Sequence, residues 1–464
     1  MTTEQKIQSD INRMLTVYQK GQFVMARDLA ISITKKLPNY ILALKVLGAA
    51  YSQTGQLNDS LNINRKVVEL NPEDVEAYNN LGVALEKLEK YEEAKNNYKK
   101  AIDLDPDYAI SHNNLGSILK KINKLDDAKE SFKRALTLRP DYVEAHYNLG
   151  NIYLDLERYD EAVESYCKAL ELNPKYTLAQ ENLILILDFF LPNKNINPII
   201  IANCNIKNIK NNFTLEYGIK KNDLANFFKD SNKIIQDNIK YLTYDKTQIY
   251  RTNSLDLKCE RHFGVFNKFN IIPKFCFSCF KIQIEPENIL GLFKLFFIFD
   301  KLELSKNNIR KCMVELRPNV LEPYKGLIYC STIEEANDIL EIISPIIQKI
   351  TKCKIKIKRG CTEYVEKFPE YKEMDKNSIN FMKYNDSWEE KEKIFDANKI
   401  INKPKPKNSL GGLSISDILI MNNWLNYAKL INDLSYKEIY KEVVFSNYIF
   451  KSIPKRKISN LFQD

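Results

Sequence analysis

The stretch VEAYNNLGVALEKLEKYEEAKNNYKKAIDLDPDY, Val75 to Tyr108, is followed without a gap by AISHNNLGSILKKINKLDDAKESFKRALTLRPDY, Ala109 to Tyr142. Both copies are 34 residues long and place the same residue types at the same places. Leu-Gly stands at places seven and eight (Leu81-Gly82, Leu115-Gly116), Ala at twenty (Ala94, Ala128), and an aromatic at twenty-four (Tyr98, Phe132). Pro106 and Pro140 close the copies, and Pro38, Pro72 and Pro174 fall on the same spacing. A fixed period of this length marks stacked helix-turn-helix units. The Gly and Ala places are small because two helices cross there, the aromatic fills the adjoining hole, and proline ends the second helix. Full units begin at Ile41, Val75, Ala109 and Val143. A degenerate unit from Ile7 lacks Leu-Gly but keeps Gly21, Ala26 and Pro38.

Over residues 7 to 187 this pattern resembles the tetratricopeptide-repeat family. The resemblance implies an α-solenoid over residues 1–190, with Thr177 to Leu187 as a capping helix and a concave face that binds rather than catalyses. Place six is Asn in five units, Asn12, Asn80, Asn114, Asn148 and Asn182, with Val46 interrupting the row. In the family this place lines the inner face. The row is similar to the amide ladder of superhelical arrays attached to some protein glycosyltransferases. Side-chain amides donate and accept, so they can hold the backbone of an extended peptide without reading its sequence. His112 and His146 fall at place four, where the family packs an aromatic, and are expected to be structural. A clamp for a C-terminal carboxylate finds only Lys87 and Lys121.

The chain has 464 residues, 69 Lys and Arg against 60 Asp and Glu, a net charge of +9. The first 190 residues carry 24 basic and 28 acidic side chains, a net of −4; the rest carry 45 and 32, a net of +13. A basic C-terminal part suggests an anionic ligand or RNA as a partner, against the plainer reading of a lysine-rich solvated exterior. The first 30 residues hold no signal-peptide pattern, and no apolar run reaches the length of a membrane span. Of nine cysteines, seven lie between Cys259 and Cys361. Without a secretory signal they are expected to be thiols or metal ligands in a cytoplasmic protein.

Beyond Pro192 three further regions are expected: a mixed connecting region over 191–279, an α+β unit over 280–362, and a charged linker with helices over 363–464. Ile199 to Ala202 reads as a short β run, and Asp223 to Ile239 as a helix. The α+β unit has strands at Lys281 to Glu285, Arg310 to Arg317, Gly326 to Ser331 and Lys354 to Arg359. Helices at Asn288 to Leu302 and from Ser331 or Thr332 to about Ile350 complete a ferredoxin-like βαββαβ order. RNA-recognition modules share this order, and Lys325-Gly326-Leu327-Ile328-Tyr329 resembles their third strand. Gln283 and Leu327 stand where two stacking aromatics belong. Lys403 to Lys407 and Gly411-Gly412 read as a linker, Ser414 to Leu434 as an amphipathic helix, and Lys455-Arg456-Lys457 as a small basic patch.

Cys259-x2-His262 and Cys276-x2-Cys279 have the spacing of a tetrahedral zinc site, with structural zinc as the implied cofactor. The plain alternative is a thiol-rich core among phenylalanines. Phosphate-loop, nucleophile-elbow and zinc-protease motifs are absent, and a single His outside the repeats excludes a two-His metal triad. Glu285, Glu315 and Arg317 lie at strand ends, where sites form and where solvated charges are also ordinary. The sequence thus favours a protein-interaction protein holding a peptide on its repeats. One alternative is an enzyme, resembling a protein-modifying transferase, whose repeats recruit substrate; a second is an RNA-associated factor.

Overall fold

The computed structural model describes residues 3–193, 197–209, 220–239, 242, 244–251, 259–306, 308–317, 320–375, 377–397 and 413–440. The expected linker at 403–412 and basic patch at 455–457 lie outside them. The chain divides into two units, Met1–Asn173 and Pro174–Asp464. The helix from Thr177, expected to cap the repeats, belongs to the second.

The first unit is five helix pairs: α1 (Thr3–Gln19) with α2 (Phe23–Lys36), α3 (Ile41–Gln53) with α4 (Leu57–Leu70), α5 (Val75–Lys87) with α6 (Tyr91–Leu104), α7 (Ala109–Lys121) with α8 (Leu125–Leu138), and α9 (Val143–Asp155) with α10 (Tyr159–Leu172). The first helices of the full units begin at the residues the period marks. Within each of the four full pairs the place-eight glycine lies under the place-twenty-four side chain. A Cβ on Gly82, Gly116 or Gly150 would come within 2.5, 2.8 and 2.6 Å of the rings of Tyr98, Phe132 and Tyr166. In the pair from Ile41, Asn64 takes the place of the ring, and Ser60 donates to the Gly48 carbonyl at 2.8 Å.

The turn inside each pair puts place fifteen in the left-handed region: Gly21, Gly55, Glu89, Asn123 and Glu157 have φ of 72°, 81°, 59°, 62° and 58°. Only the first two are the residue that adopts this conformation without strain. After each second helix the residue before the proline is extended, as at Asp105 (φ −141°, ψ 97°), because the next ring excludes helical geometry. First helices touch one another along the row, α3 to α5 to α7 to α9, and so lie on the inner side of its curve.

The second unit contains α11 (Thr177–Leu187), α12 (Pro198–Lys207), α13 (Lys221–Asn238), β1 (Gln248–Arg251), α14 (Cys259–Phe269), β2 (Phe280–Pro286), α15 (Ile289–Lys301), β3 (Arg310–Val314), β4 (Tyr324–Cys330), α16 (Ile333–Ile350), β5 (Cys353–Arg359), α17 (Glu389–Ala397) and α18 (Ile415–Leu430). The element order βαββαβ is present from β2 to β5. The sheet is antiparallel with order β1-β3-β4-β2-β5, one strand more than expected. Ile199 to Ala202 is helical, not extended: Asn197 caps Ile199 N–H at 2.9 Å. Pro198 occupies the first turn, where its missing N–H costs nothing.

Ser414 opens α18 with a capping box closed by Asp417. The helix is not amphipathic, since every residue from Ile415 to Ala428 is buried. Its surroundings are α11, α12, α13, α15, β1 and β3. Trp424 meets Phe293 edge-on at 5.8 Å and donates to the Thr247 carbonyl at 2.8 Å. Most of its polar residues are matched: Asn422 exchanges hydrogen bonds with Asn232, and Asp417 receives the Arg251 guanidinium at 2.7 and 3.1 Å, while Asn426 Nδ2 has no hydrogen-bond partner among the described residues. Arg251 also holds Asp300 at 2.6 Å. Asp188, just past α11, accepts from Ser414 and Ser416 at 2.7 and 2.8 Å. Burial and the nearby Asp417 carboxylate raise Asp188 to about 6.

Two outcomes follow. Gly116→Ala should destabilise the repeats by about 1–3 kcal/mol by overpacking, with Phe132→Leu restoring part of the loss; urea unfolding followed by helical circular dichroism measures both, and an unchanged midpoint would contradict the packing. Because Asp188 holds its proton more tightly when folded, wild-type stability falls as pH rises from the ordinary carboxylate range through about 6. The stability of Asp188→Asn relative to wild type should therefore rise between pH 4 and pH 7, and a flat difference would remove Asp188 from this role.

Candidate functional site

Each inner-face asparagine stands on a first helix at place six, and the structure shows where its amide goes. Asn114 Nδ2 donates to Asn79 Oδ1 at 2.9 Å, and Asn148 Nδ2 donates to Asn113 Oδ1 at 3.1 Å. Ser111 adds a second donor to Asn79 at 3.1 Å, and Asn113 donates to Asn114 at 3.3 Å. The amide row is therefore first an inter-repeat brace. The acceptors are place five of the preceding unit, Asn79 and Asn113, which are buried where place six is half-buried. Little in the period singles out place five, since Asn79 and Asn113 stand between Lys45 and Tyr147 and no one residue type runs through the units.

Asn80 is the exception. Place five before it is Lys45, which has no acceptor and pairs with Asp74 and Glu76 at 2.7 Å. Asn80 makes no side-chain hydrogen bond with any described residue. Asn114 and Asn148 each spend one of two N–H groups on the brace and keep the other. Asn12 is exposed and accepts from Gln8 at 3.2 Å. Asn182 lies on α11 in the second unit.

Charges on the same face are mostly neutralised. Lys121 pairs with Glu86 at 2.8 Å, Lys120 pairs with Asp155 at 3.1 Å, and Lys87 donates to the Ser52 carbonyl at 3.1 Å. Glu86 also accepts from Tyr98 at 2.9 Å. The face is thus polar without net charge concentrated at one point, which does not suit a carboxylate clamp. The repeat histidines hold backbone: Nε2 of His112 and of His146 lies 2.9 Å from the carbonyls of Pro106 and Pro140. Burial lowers His146 from its ordinary value, so the neutral ring donates at pH 7.

The expected zinc residues are in the second unit. Cys259 opens α14, and His262 on the same helix is buried and stacks on Phe275, ring centres 5.1 Å apart. Cys276 lies 3.5 Å from the Tyr364 hydroxyl. Cys361, not among the expected ligands, is buried in the same cluster as Cys276. Gly360 leaves room for Cys279, whose sulfur a Cβ there would strike. Cys361 thus stands by Cys276, while His262 stacks on a ring. Among the described residues, no three His, Cys, Asp or Glu side chains are grouped to hold a metal ion. Burial pushes Cys279 up to about 12, which keeps its thiol protonated. Cys361 was missed because only the pairing of β2 with β5, Phe280 opposite Arg359, brings it beside Cys279.

Among the described residues no helix is long and apolar enough to cross a membrane. Tetratricopeptide-repeat models match residues 75–108, 143–176 and 97–130, and a TPR-repeat model matches 116–157. No curated protein matches the chain. Similar solved structures include the MamA protein (27% identity, 37% of this chain and 94% of that chain, TM-score 0.32). A second is TTC0263, a thermophilic TPR protein of Thermus thermophilus (28%, 38% and 95%, 0.35). A third is YrrB, a TPR protein with an unusual peptide-binding site (22%, 37% and 88%, 0.30).

The brace separates two neighbouring asparagines. Asn79→Ala strands two donors and should cost about 1–3 kcal/mol, whereas Asn80→Ala should change stability by less than about 0.5 kcal/mol. Chemical unfolding checks the pair, and equal effects would contradict the assignment. The matches show tetratricopeptide repeats over residues 75–176, within a row of helix pairs that runs from Thr3 to Leu172.

Proposed function

We propose that the protein is an interaction scaffold whose inner repeat face holds an extended peptide segment of a partner protein. The tetratricopeptide match supports a protein-interaction scaffold in general. The observation that carries the finer reading is the row Asn80, Asn114 and Asn148, one amide per 34 residues, each with hydrogen-bonding capacity left after the brace. Amides rather than charges at these places favour a backbone ligand over an acidic or basic tail. The brace supplies preorganisation: two of the three side chains are held in place before a ligand arrives, so less rotamer freedom is lost on binding.

The test uses the full chain against a randomised peptide-display library. Wild type should enrich extended peptides, and Asn80→Ala together with Asn114→Ala and Asn148→Ala should abolish enrichment with helicity retained. Asn80→Ala alone should weaken an enriched peptide roughly five- to tenfold, the worth of about one net hydrogen bond. Because that variant leaves the brace intact, persistent wild-type affinity would remove the amide row from recognition.

A further inference from the structure

We propose that the peptide held by the amide row carries one large apolar side chain, Leu, Met or Phe, and that the gap in the row at Val46 marks its seat. This rests on the reading of the inner face as a peptide site and adds what that face selects. Place six lines the inner side, and at helical spacing places two and nine lie on the same stripe, one turn to either side of it. In the units from Val75, Ala109 and Val143 each stripe holds its Asn and at least one further polar residue, Glu76, Ser117 and Glu144 among them. In the unit from Ile41 the stripe is Leu42, Val46 and Ala49, without a polar residue.

Place nine changes in the same direction along the row. It is Leu15 on α1, Ala49 on α3 and Val83 on α5, then Ser117 on α7 and Asn151 on α9. α3 touches α1 on one side and α5 on the other, so the apolar stretch of place nine and the apolar stripe of α3 cross at Ala49. Val46 itself is 6% exposed, in a core cluster against which Leu15 and Tyr18 pack. Leu42, one turn before it, is 38% exposed, and Leu15, Ala49 and Val83 are half-buried. These four side chains offer a neutral apolar surface. Lys45, next to Val46, is held by Asp74 and Glu76 at 2.7 Å, and Lys87, one turn past Val83, by the Ser52 carbonyl at 3.1 Å. Neither charge is spare for an acidic group.

Continuity with the amide row says what covers this surface. Going from α9 toward α1, Asn80 on α5 is the last amide before the gap, and a chain running on from it crosses α3 next. Packed helices lie about 8–10 Å apart, the span of roughly three residues of extended chain. A peptide held at Asn80 therefore brings a side chain over Leu42 and Ala49 roughly three residues farther on. Amides on α5, α7 and α9 hold backbone and are indifferent to side chains, whereas α3 has no amide at place six and reads a side chain instead. Backbone contacts supply affinity, and the apolar seat supplies register and selection.

The full chain is selected against the randomised display library, wild type beside Leu42→Glu, which installs the residue that place two carries in the units from Val75 and Val143. Wild-type selections should share one large apolar residue at a fixed place, and Leu42→Glu selections should lose that preference while still enriching extended peptides. For one wild-type peptide, Leu42→Glu should weaken binding roughly tenfold, and so should replacing the shared apolar residue by Ser. Made together, the two changes should cost little more than either alone, because both remove the same contact. Additive losses overturn the proposal, as does enrichment without a shared apolar residue, and the amide reading survives both results. If wild type enriches no peptide, that reading fails and the apolar seat fails with it. Melting curves check that Leu42→Glu folds; if it does not, Val83→Ser, the residue of place nine in the unit from Ala109, replaces it in the selections and in the cycle. Light scattering tests the other occupant: dimerisation of the free chain that Leu42→Glu abolishes assigns the surface to a second copy and overturns the proposal.

Discussion

The first unit depends on a contact between nothing and a ring: the absent side chain of a glycine at place eight and the aromatic at place twenty-four. Gly82 under Tyr98, Gly116 under Phe132 and Gly150 under Tyr166 set how closely the helices of a pair approach. That spacing is repeated in each full unit, so the first helices fall in register on the inner side of the curve. The same register places Asn114 within 2.9 Å of Asn79 and Asn148 within 3.1 Å of Asn113. A binding face made of one residue per unit exists only if every pair packs alike.

The brace changes the meaning of the asparagine row. An amide has two N–H groups and two lone pairs, and one residue can serve the scaffold and a ligand together. Asn80 shows the division, because Lys45 before it offers no acceptor and its amide remains uncommitted within the described residues. The second unit follows another rule, with most polar groups around α18 buried and paired, among them Arg251 between Asp300 and Asp417. Asn426 Nδ2 is left without a partner among the described residues, and an unsatisfied member of such a network costs stability.

Local order was legible in the sequence wherever one residue type recurs or alternates. The helix starts at Ile41, Val75, Ala109 and Val143 follow from the period, and the strands from Lys281 to Arg359 follow from alternation. What was illegible depends on partners distant in the chain. Place five is Asn in two units only, Asn79 and Asn113, so its acceptor role emerges only when helices are stacked. Ile199 to Ala202 is β-branched in part and reads as a strand, yet Asn197 and Pro198 start a helix there. Residues 414–428 carry polar side chains at helical spacing, and only their partners on α13, β1 and the segment before it make burial on all sides tolerable. Cys361 joins Cys276 through strand pairing, which motif spacing cannot express.

The central claim is that the inner amides, rather than the outer helices, meet the ligand. Side-chain amide resonances of selectively labelled asparagine, followed by NMR as an enriched peptide is added, test it most directly. The account predicts shifts concentrated on Asn80, Asn114 and Asn148, largest at Asn80. Shifts confined to Asn64, Asn97 or other asparagines of the second helices, with the place-six amides unmoved, would contradict it.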